Sequence, residues 1–477
     1  MTDRHFIRFV FLAVFAVLAF IGPATDQLVN PNMSSRLALA LEMVEDHAVT
    51  IDRFAPYTID KASYQGHFYS DKAPGMAFLV APLLALLRAP LVALGIDTTS
   101  SLSGPDINHV QAPGFYIFAM RIGILFVSTL ATAGAAAMLF QLCRDLRASR
   151  NGALFASFAW AFATPMLGWA TSFFGHATAA SLLVTGLALV VRANLAEVLP
   201  GRDFRRGLLA GFALGLVFVV EFTTGPALVC IAVLGLFYAR GRPLLLAGAM
   251  VGGLAPLILL LVYNQNAFGA PLHLGYANVV DFAGMQTGWF GVSRPDPHIA
   301  WEVLFGASRG LVWISPFLLL APLAYVMAWR EMPRGVVLVL LAVPVLFLLI
   351  NAGYAYWDGG WSTGPRHLTP GLAFACVPFA ALWDRGGRGL RLLAAGAVGA
   401  SAVLSLSCAM VDMTSRPLPD GVNTVFDSIL PRLAAGDFHN SLTEGGPNSF
   451  LTLLALPVIV YCAGVLAGLT RNAARAR

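Results

Sequence analysis

Two aspartate–lysine pairs stand close together in a polar, aromatic stretch early in the sequence. They are Asp60-Lys61 and Asp71-Lys72, and these two lysines are the only ones in the 477-residue chain. A lysine ammonium is a compact charge that can meet a phosphate, while an aspartate can act as a base or orient a hydroxyl group. The pairs therefore predict phosphate binding coupled to proton transfer, although adjacent opposite charges also occur in ordinary solvated turns.

A second chemically dense segment, residues 351–370, lies between two apolar runs late in the chain. Its polar and aromatic residues include Trp357, Asp358, Trp361, Arg366 and His367. Arginine presents a planar fork that suits phosphate, and tryptophans suit a sugar face or a prenyl chain. The alternative is an aromatic belt at the membrane interface, with an arginine that reaches the lipid headgroups. The acid beside a tryptophan favours the first interpretation, since a belt needs no acid.

Three isolated residues add to these candidates. His176 begins a predicted helix, as either an ordinary buried histidine or a residue bordering a substrate pocket. Glu221 lies near the end of another helix, and an acid inside a membrane is a functional candidate by default. Arg309 precedes a further apolar run, as either a phosphate ligand or a helix-end charge. The spans predicted from the apolar runs place all three at the outer face.

The composition indicates that most of the chain lies in a lipid bilayer. Of its residues, 58% are hydrophobic and only 12% are charged, about half the charged fraction of a soluble globular protein. Many runs reach the roughly 20 apolar residues that a spanning helix needs. The five scattered cysteines predict no disulfide framework. The sequence therefore predicts an all-α polytopic membrane protein, with a single domain over residues 1–477.

Twelve apolar runs predict the spanning helices. They lie at 6–23, 116–141, 151–168, 176–193, 207–224, 226–239, 243–263, 311–329, 335–351, 368–384, 391–411 and 450–469. A further run, 75–95, contains Arg88 and two prolines. If that run lies on the outer surface, the arginine clusters between the helices all fall inside, as the positive-inside rule requires. We therefore expect both termini to be cytoplasmic, and the first helix to be retained rather than cleaved as a signal peptide.

In this topology three long loops lie at the outer, periplasmic face. They cover residues 24–115, 264–310 and 412–449. In the first of them, residues 32–46 predict an amphipathic helix that is capped by Ser34 or Ser35 and lies in the membrane interface. The large first loop thus carries interfacial helices. The cytoplasmic loops are short and basic, so we expect the chemistry at the outer face.

The motif FYSDKAPG at 68–75 resembles the tyrosine/phenylalanine–acid–lysine–proline signature of bacterial type C glycosyltransferases. These enzymes include lipid A aminoarabinose transferases and protein O-mannosyltransferase-like (glycosyltransferase family 39-like) membrane enzymes. The segment SRLALALEMVED resembles their interfacial helix, and YWDGGWSTGPRHLTP resembles a later segment of one bacterial branch. The resemblance implies a sugar donor linked to polyprenyl phosphate, transfer to an acceptor hydroxyl at the outer face, and inversion at the anomeric carbon.

The resemblance also implies roles for individual residues. Relatives carry Asp-Glu just before the arginine of the interfacial helix, but residues 32–36 hold no acid here, so the base must come from elsewhere. The candidate bases, in order, are Asp71, Asp60 and Asp26. The candidate phosphate ligands are Lys72, Arg36, Arg366 and Lys61. The candidate substrate-binding residues are Tyr69, His67, Trp357, Asp358, Trp361, His367, His176 and Arg309.

Two other functions fit the same sequence. A transporter or flippase of a lipid-linked or small anionic solute would place charged groups near mid-membrane, but of the acids only Glu221 lies inside a predicted span rather than at a boundary or in a loop. A non-catalytic envelope protein could keep the fold after losing the base. As partners we expect a polyprenyl-phosphate-linked sugar and a lipid, glycan or protein acceptor, with no nucleic acid. No cofactor is expected, divalent metal dependence stays open, and the expected location is a bacterial inner membrane.

Overall fold

The computed structural model describes residues 2–24, 27–441 and 443, and their backbone is predominantly helical. A short two-stranded hairpin interrupts the helices in this part of the chain. The predicted all-α membrane class is confirmed. Asp26, one of the three candidate bases, and the predicted helix at 450–469 lie outside the described residues.

The first helices and the hairpin run from the N-terminus through the first long loop and into the membrane bundle. The helices are α1 (Asp3–Ile21), α2 (Pro31–Glu45), α3 (Gly75–Ala93), α4 (Gly114–Gly123), α5 (Leu130–Asp145), α6 (Arg150–Phe162), α7 (Met166–Trp169), α8 (Gly175–Leu195) and α9 (Pro200–Val220). The strands are β1 (Lys61–Tyr64) and β2 (His67–Ser70). A π-helical segment, Ile124–Thr129, joins α4 to α5, so the predicted helix 116–141 is continuous with one widened turn.

The later helices complete the bundle. They are α10 (Gly225–Tyr238), α11 (Pro243–Phe268), α12 (Pro297–Phe305), α13 (Ala321–Glu331), α14 (Arg334–Ala352), α15 (Thr369–Cys376), α16 (Phe379–Arg385), α17 (Arg388–Val411) and α18 (Leu430–Ala434). Three predicted helices are broken at prolines, which cannot donate a backbone hydrogen bond. Pro165 precedes α7, Pro316 begins a 3-10 turn ahead of α13, and Pro378 separates α15 from α16.

Seven helices among the described residues are long and apolar enough to cross a membrane. They are α1, α3, the continuous α4–α5 helix, α8, α11, α14 and α17. The helix α3 belongs to this group, although the positive-inside rule favours the outer surface for this run, which contains Arg88 and two prolines. The multi-pass membrane character is therefore confirmed, while the count of twelve spans stays a prediction.

The helices α9 and α11 pack so closely that their backbones touch. Gly207, Gly211 and Gly215 recur one turn apart on α9. A Cβ atom on Gly207 would overlap the carbonyl oxygen of Leu245, and one on Gly211 would overlap that of Ala249. Small residues at this spacing let membrane helices approach, because packing rather than water release drives their association. The contact anchors α9, whose C-terminal end carries part of the candidate site.

The helix α2 lies inside the protein rather than along its surface. Its N-cap is Asn30, whose side chain accepts a hydrogen bond from Asn32 N, and not the predicted Ser34 or Ser35. Both serines instead form hydrogen bonds with side chains of other elements. Residues 32–42 are all buried, whereas a helix that lies in the membrane interface would leave one face exposed. Its single arginine is thereby carried into the protein interior.

The hairpin directs the chain from α2 toward α3. Its register pairs Lys61 with Ser70. Gln65 and Gly66, both with positive φ, form the two-residue turn expected of such a hairpin. Val280 N donates to Lys61 O at 3.2 Å, so the hairpin is also attached to the second outer loop. The hairpin therefore fixes the position of the aspartate–lysine pair that follows β2.

The outer segment 351–370 is attached to both later loops. Ala355 N donates to Gly291 O at 2.8 Å, and Thr363 N donates to Met413 O at 2.9 Å. Because backbone hydrogen bonds of this kind fix the relative position of loops, the outer segments form one connected layer over the helices.

Candidate active site

The second aspartate–lysine pair lies where the chain leaves β2 for α3. Lys72 Nζ donates hydrogen bonds to Asp71 Oδ2 at 2.8 Å and to Asp60 Oδ1 at 2.9 Å. Both aspartates are buried, and the lysine side chain is 15% exposed. The strand register brings the two acids together, because Lys61, next to Asp60, lies opposite Ser70, next to Asp71. Residues far apart along the hairpin thus form one charged group.

Burial sets the protonation of this group. It raises the pKa of Asp71 to about 6, with Lys72 opposing the rise and Asp60 adding to it. Burial also lowers the pKa of Lys72, but the two carboxylates outweigh it and hold that pKa above its ordinary value. Asp71 Oδ1 is buried and has no hydrogen-bond partner among the described residues. Asp71 therefore has a free oxygen and a pKa close to neutral, both of which suit a general base.

Arg36 enters the site from α2 and meets an acid at the end of α9. Arg36 Nη2 lies 3.6 Å from Glu221 Oε2, and Arg36 Nε donates to Asn32 Oδ1 at 3.1 Å. His176, the second residue of α8, places Nδ1 3.5 Å from the same Glu221 oxygen. Arg36, Glu221 and His176 are all buried. Three elements that are distant in sequence therefore meet at one carboxylate.

Arg366 and His367 reach the site from the 3-10 turn that precedes α15. The guanidinium of Arg366 lies 5.2 Å from the ring centroid of Phe174, and its Nε has no hydrogen-bond partner within the described part of the chain. The His367 ring packs edge-on against His176, at 5.4 Å between centroids, and against Tyr354, at 5.3 Å. Burial lowers the pKa of His367, and nearby cations lower it further, so this histidine is neutral at pH 7.

Lys72, Arg36 and Arg366 are three buried or mostly buried cations whose charges reach the same carboxylate, that of Glu221. The charges of Lys72 and Arg36 both act on Asp71, and those of all three cations act on Glu221. Each cation comes from a different element: the end of the hairpin, α2 and the turn before α15. Within the described ranges, no group of three His, Cys, Asp or Glu side chains is arranged to hold a metal ion. The region combines cations that suit an anion with carboxylates that suit a proton.

Two predicted site residues, Lys61 and His67, lie away from this region. Lys61 Nζ donates to Ala55 O at 2.8 Å and lies 5.4 Å from the ring centroid of Phe68, so it stabilises the loop before the hairpin. His67 is at the exposed tip of the hairpin, where its Nδ1 lies 2.7 Å from Asp52 Oδ2. The structure therefore does not bring either residue to the cluster, because each is engaged on the outer side of the hairpin.

The segment 351–370 contributes to the site only in part. Asp358 is near enough for its charge to act on Arg366, and its Oδ1 accepts a hydrogen bond from Gly360 N at 3.1 Å. The predicted phosphate ligand Arg309 is buried and donates to the carbonyl oxygens of Gly360, at 2.7 Å, and of Ser362. Arg309 thus supports the backbone of this segment instead of presenting its guanidinium to a ligand.

The aromatic candidates surround the charged region rather than enter it. Trp361 is 43% exposed, and Arg416 stacks on its ring at 4.6 Å. Trp357 is half-buried and packs against the apolar core. Tyr69 is buried, with its ring 5.0 Å from that of Phe268. These residues shape the surroundings of the site and make no contact with its carboxylates among the described interactions.

From the sequence alone, Glu221 is an isolated functional candidate without a specific role, and two tyrosines have no role. Tyr276, from the second outer loop, and Tyr354 are close enough for the charge of Glu221 to act on both. The absence of an acid beside Arg36 in the sequence was the signal for Glu221, because a buried arginine requires a carboxylate partner from another part of the chain. No spacing or motif pointed to the tyrosines, since loop contacts over long sequence separations decide their position.

Comparison with known proteins adds solved structures of low sequence identity. No protein-family model and no curated protein matches the chain. The chain is similar to an ArnT from Cupriavidus metallidurans bound to undecaprenyl phosphate, with 15% identity, a TM-score of 0.47, and coverage of 98% of this chain and 72% of ArnT. It is also similar to the oligosaccharyltransferase AglB from Archaeoglobus fulgidus in complex with an inhibitory peptide and a dolichol-phosphate. There the identity is 13%, the TM-score 0.44, and the coverage 86% of this chain and 56% of AglB.

Proposed function

We propose that this chain is a membrane glycosyltransferase that moves a sugar from a polyprenyl-phosphate donor to an acceptor hydroxyl at the periplasmic face. The observation that carries the proposal is the placement of Lys72 between two buried aspartates, one of which keeps a free carboxylate oxygen. A cation for a phosphate and a base for a hydroxyl therefore stand side by side. The resemblance of the FYSDKAPG motif to type C glycosyltransferases supports the same reaction.

Lys72, Arg36 and Arg366 are the proposed ligands of the donor phosphate. Negative charge builds on this phosphate as the sugar leaves, and preorganised cations in a buried site stabilise such charge better than water does. Arg366 is the most available of the three, because its Nε has no hydrogen-bond partner within the described residues. The prenyl chain would lie against the apolar helices that border the site.

Asp71 is the proposed base. Its Oδ1 takes the proton of the acceptor hydroxyl while the hydroxyl oxygen forms a bond to the anomeric carbon. The bond between that carbon and the phosphate oxygen breaks, and its electron pair stays on the polyprenyl phosphate. A single displacement of this kind inverts the configuration. The phosphate gains one negative charge as Asp71 loses one, so the buried region keeps its total charge, and no unpaired charge is created where it would be costly.

The proposed reaction takes place outside the cytoplasm. The hairpin, the start of α8 and the end of α9 contribute the site, and the positive-inside rule assigns these ends to the periplasmic face. The same rule places both termini in the cytoplasm and the protein in a bacterial inner membrane. The acceptor is then a lipid, glycan or protein that is exposed on that face.

The alternative functions receive less support from the same residues. A transporter or flippase places its charged groups near mid-membrane between broken helices. Here Lys72, Asp71 and Arg366 lie outside the spanning helices, in loops and turns. A non-catalytic envelope protein has no use for a buried carboxylate oxygen without a partner, which reduces stability.

Binding of undecaprenyl phosphate tests the proposal. The purified protein in lipid nanodiscs should bind this lipid, and Lys72→Met should weaken the affinity about 10- to 100-fold through loss of a charged hydrogen bond. Lys61→Met is the matched control, since Lys61 stands in the same loop but donates to Ala55 O. Equal affinities of the wild type and Lys72→Met would reject Lys72 as a phosphate ligand.

A further inference from the structure

Two buried polar atoms in the site face each other without a hydrogen bond. Glu221 Oε2 and His176 Nδ1 are 3.5 Å apart, and neither has a hydrogen-bond partner among the described residues. Protein N–H···O bonds are usually about 2.7–3.2 Å long, so this separation leaves both atoms unsatisfied. Buried polar atoms in folded proteins nearly always have a partner, either in the protein or in a bound molecule. The pair therefore indicates a bound group that forms hydrogen bonds with both atoms.

The donor and acceptor types of the two atoms restrict that group. An ionised carboxylate oxygen only accepts hydrogen bonds, so Glu221 Oε2 cannot bond to a phosphate oxygen, which also only accepts. A hydroxyl both donates and accepts. It can donate to Glu221 Oε2 and accept from His176 when the proton of the imidazole is on Nδ1. Arg36 Nη2, 3.6 Å from the same carboxylate oxygen, is a second donor within reach.

The backbone keeps this pair of atoms in a fixed geometry. Glu221 directly follows α9, and His176 is the second residue of α8, which packs along α9. Gly175 stands at the closest approach, where a Cβ atom would lie 3.0 Å from Glu221 Oε2 and 3.1 Å from Arg36 Nη1. Groups held by helix ends are more precisely placed than groups on free loops. The site is therefore suited to reading the direction of a single hydroxyl.

We propose that Glu221 and His176 bind one ring hydroxyl of a sugar and thereby select the sugar. The proposal rests on the proposed glycosyltransferase function, in which the sugar is carried by the donor or stands at the acceptor end. A sugar whose hydroxyl points in another direction leaves the carboxylate buried and unpaired. For this reason, sites that form hydrogen bonds to a substrate hydroxyl discriminate strongly against analogues that lack it in that position. A structural water is the other candidate occupant, and the experiment distinguishes it from a sugar hydroxyl.

The experiment compares lipids that differ only in the sugar. Affinities are measured in nanodiscs for undecaprenyl phosphate and for its glucosyl, galactosyl and mannosyl esters. The galactosyl and mannosyl esters each differ from the glucosyl ester in the direction of one hydroxyl. If the donor carries the hydroxyl, the wild type prefers one ester by about tenfold or more over the other two, which carry the same charge. Glu221→Gln and His176→Phe each remove most of that preference, because they weaken binding of the preferred ester more than binding of undecaprenyl phosphate or of the other esters.

A second arm examines the acceptor. Methyl glucoside, galactoside and mannoside are added to protein that already holds undecaprenyl phosphate. If the acceptor carries the hydroxyl, the wild type distinguishes these three glycosides, and the same two variants lose the distinction. The matched control is Glu42→Gln, because Glu42 is also a buried outer-loop carboxylate but is paired with Arg53 at 3.0 Å, away from the site. This control keeps every preference of the wild type.

Several results would overturn the proposal. If the wild type binds the three esters with one affinity and the three glycosides with one affinity, the group bonded to Glu221 and His176 is a water. If the variants bind undecaprenyl phosphate and its esters more weakly by the same factor, Glu221 only holds Arg36 in place. Failure of the proposed function looks different, because undecaprenyl phosphate would then bind with the same affinity to the wild type and to Lys72→Met.

Discussion

Arg36 Nη2 lies 3.6 Å from Glu221 Oε2, and both side chains are buried. Arg36 belongs to α2 in the first outer loop, whereas Glu221 directly follows α9. The pair supplies from a distant helix the acid that the sequence lacks beside Arg36. It also explains how α2 can carry an arginine while it is buried on all sides, because a buried charge needs a partner of opposite sign.

Loss of Arg36 alone should destabilise the fold. Arg36→Met leaves Glu221 buried without its arginine, and removing one partner of a buried ion pair typically costs about 3–5 kcal/mol. The double variant Arg36→Met/Glu221→Gln carries no unpaired charge, so it should recover most of the loss. Thermal unfolding in detergent, followed by tryptophan fluorescence, measures both. A double variant that is no more stable than Arg36→Met would show that the two residues are not energetically coupled.

Replacement of Asp71 should abolish sugar transfer without abolishing donor binding. Asp71→Asn removes the base, and general-base catalysis contributes about 10²- to 10⁴-fold to the rate. The change should appear in kcat, measured with membranes or purified protein and a radiolabelled donor. Asp52→Asn is the control, since Asp52 lies at the exposed hairpin tip beside His67. Transfer at the wild-type rate by Asp71→Asn would reject this assignment of the base.

The rate of transfer should fall in acid. The base must be ionised to accept a proton, and burial raises the pKa of Asp71 to about 6. kcat/KM should therefore be nearly constant above pH 7, halve near pH 6 and fall about tenfold for each unit below that. A pH profile in buffers of constant ionic strength measures this. A profile that stays flat from pH 7 to pH 5 would contradict a base with this pKa.

The contact between α9 and α11 should tolerate no added side chain. Gly211→Ala places a Cβ atom against the carbonyl oxygen of Ala249, so the helices must separate. Overpacking of this kind costs about 1–3 kcal/mol. Gly396→Ala on α17 is the matched control, because its Cβ atom would meet open space. The midpoint of thermal unfolding should fall for Gly211→Ala and be unchanged or higher for Gly396→Ala.

The sequence was sufficient to predict the membrane fold, and it named several residues that lie in the buried charged region. Apolar runs mark helices whatever their neighbours are, because a spanning helix satisfies its own backbone hydrogen bonds. The motif after β2 identified Asp71 and Lys72, and the dense segment before α15 identified Arg366. The charges of Lys72, Arg366 and Arg36 all act on Glu221 in the structure, while their role as phosphate ligands stays a prediction.

Other parts of the site depend on contacts that no local pattern encodes. Lys61 and Lys72 each follow an aspartate, yet the strand register directs only Lys72 to the buried acids. Ser34 looked like a helix cap, but Pro31 and Asn30 begin α2 earlier. Glu221 reaches Arg36 only because α8, α9 and α11 pack side by side, which depends on glycine contacts between helices.

The most direct measurement of the central claim is a structure with undecaprenyl phosphate bound, determined by electron cryomicroscopy in nanodiscs. The account predicts the phosphate within hydrogen-bond distance of Lys72 Nζ and the guanidinium groups of Arg36 and Arg366, with Asp71 Oδ1 facing the same space. A phosphate in the headgroup layer, away from all three cations, would contradict it.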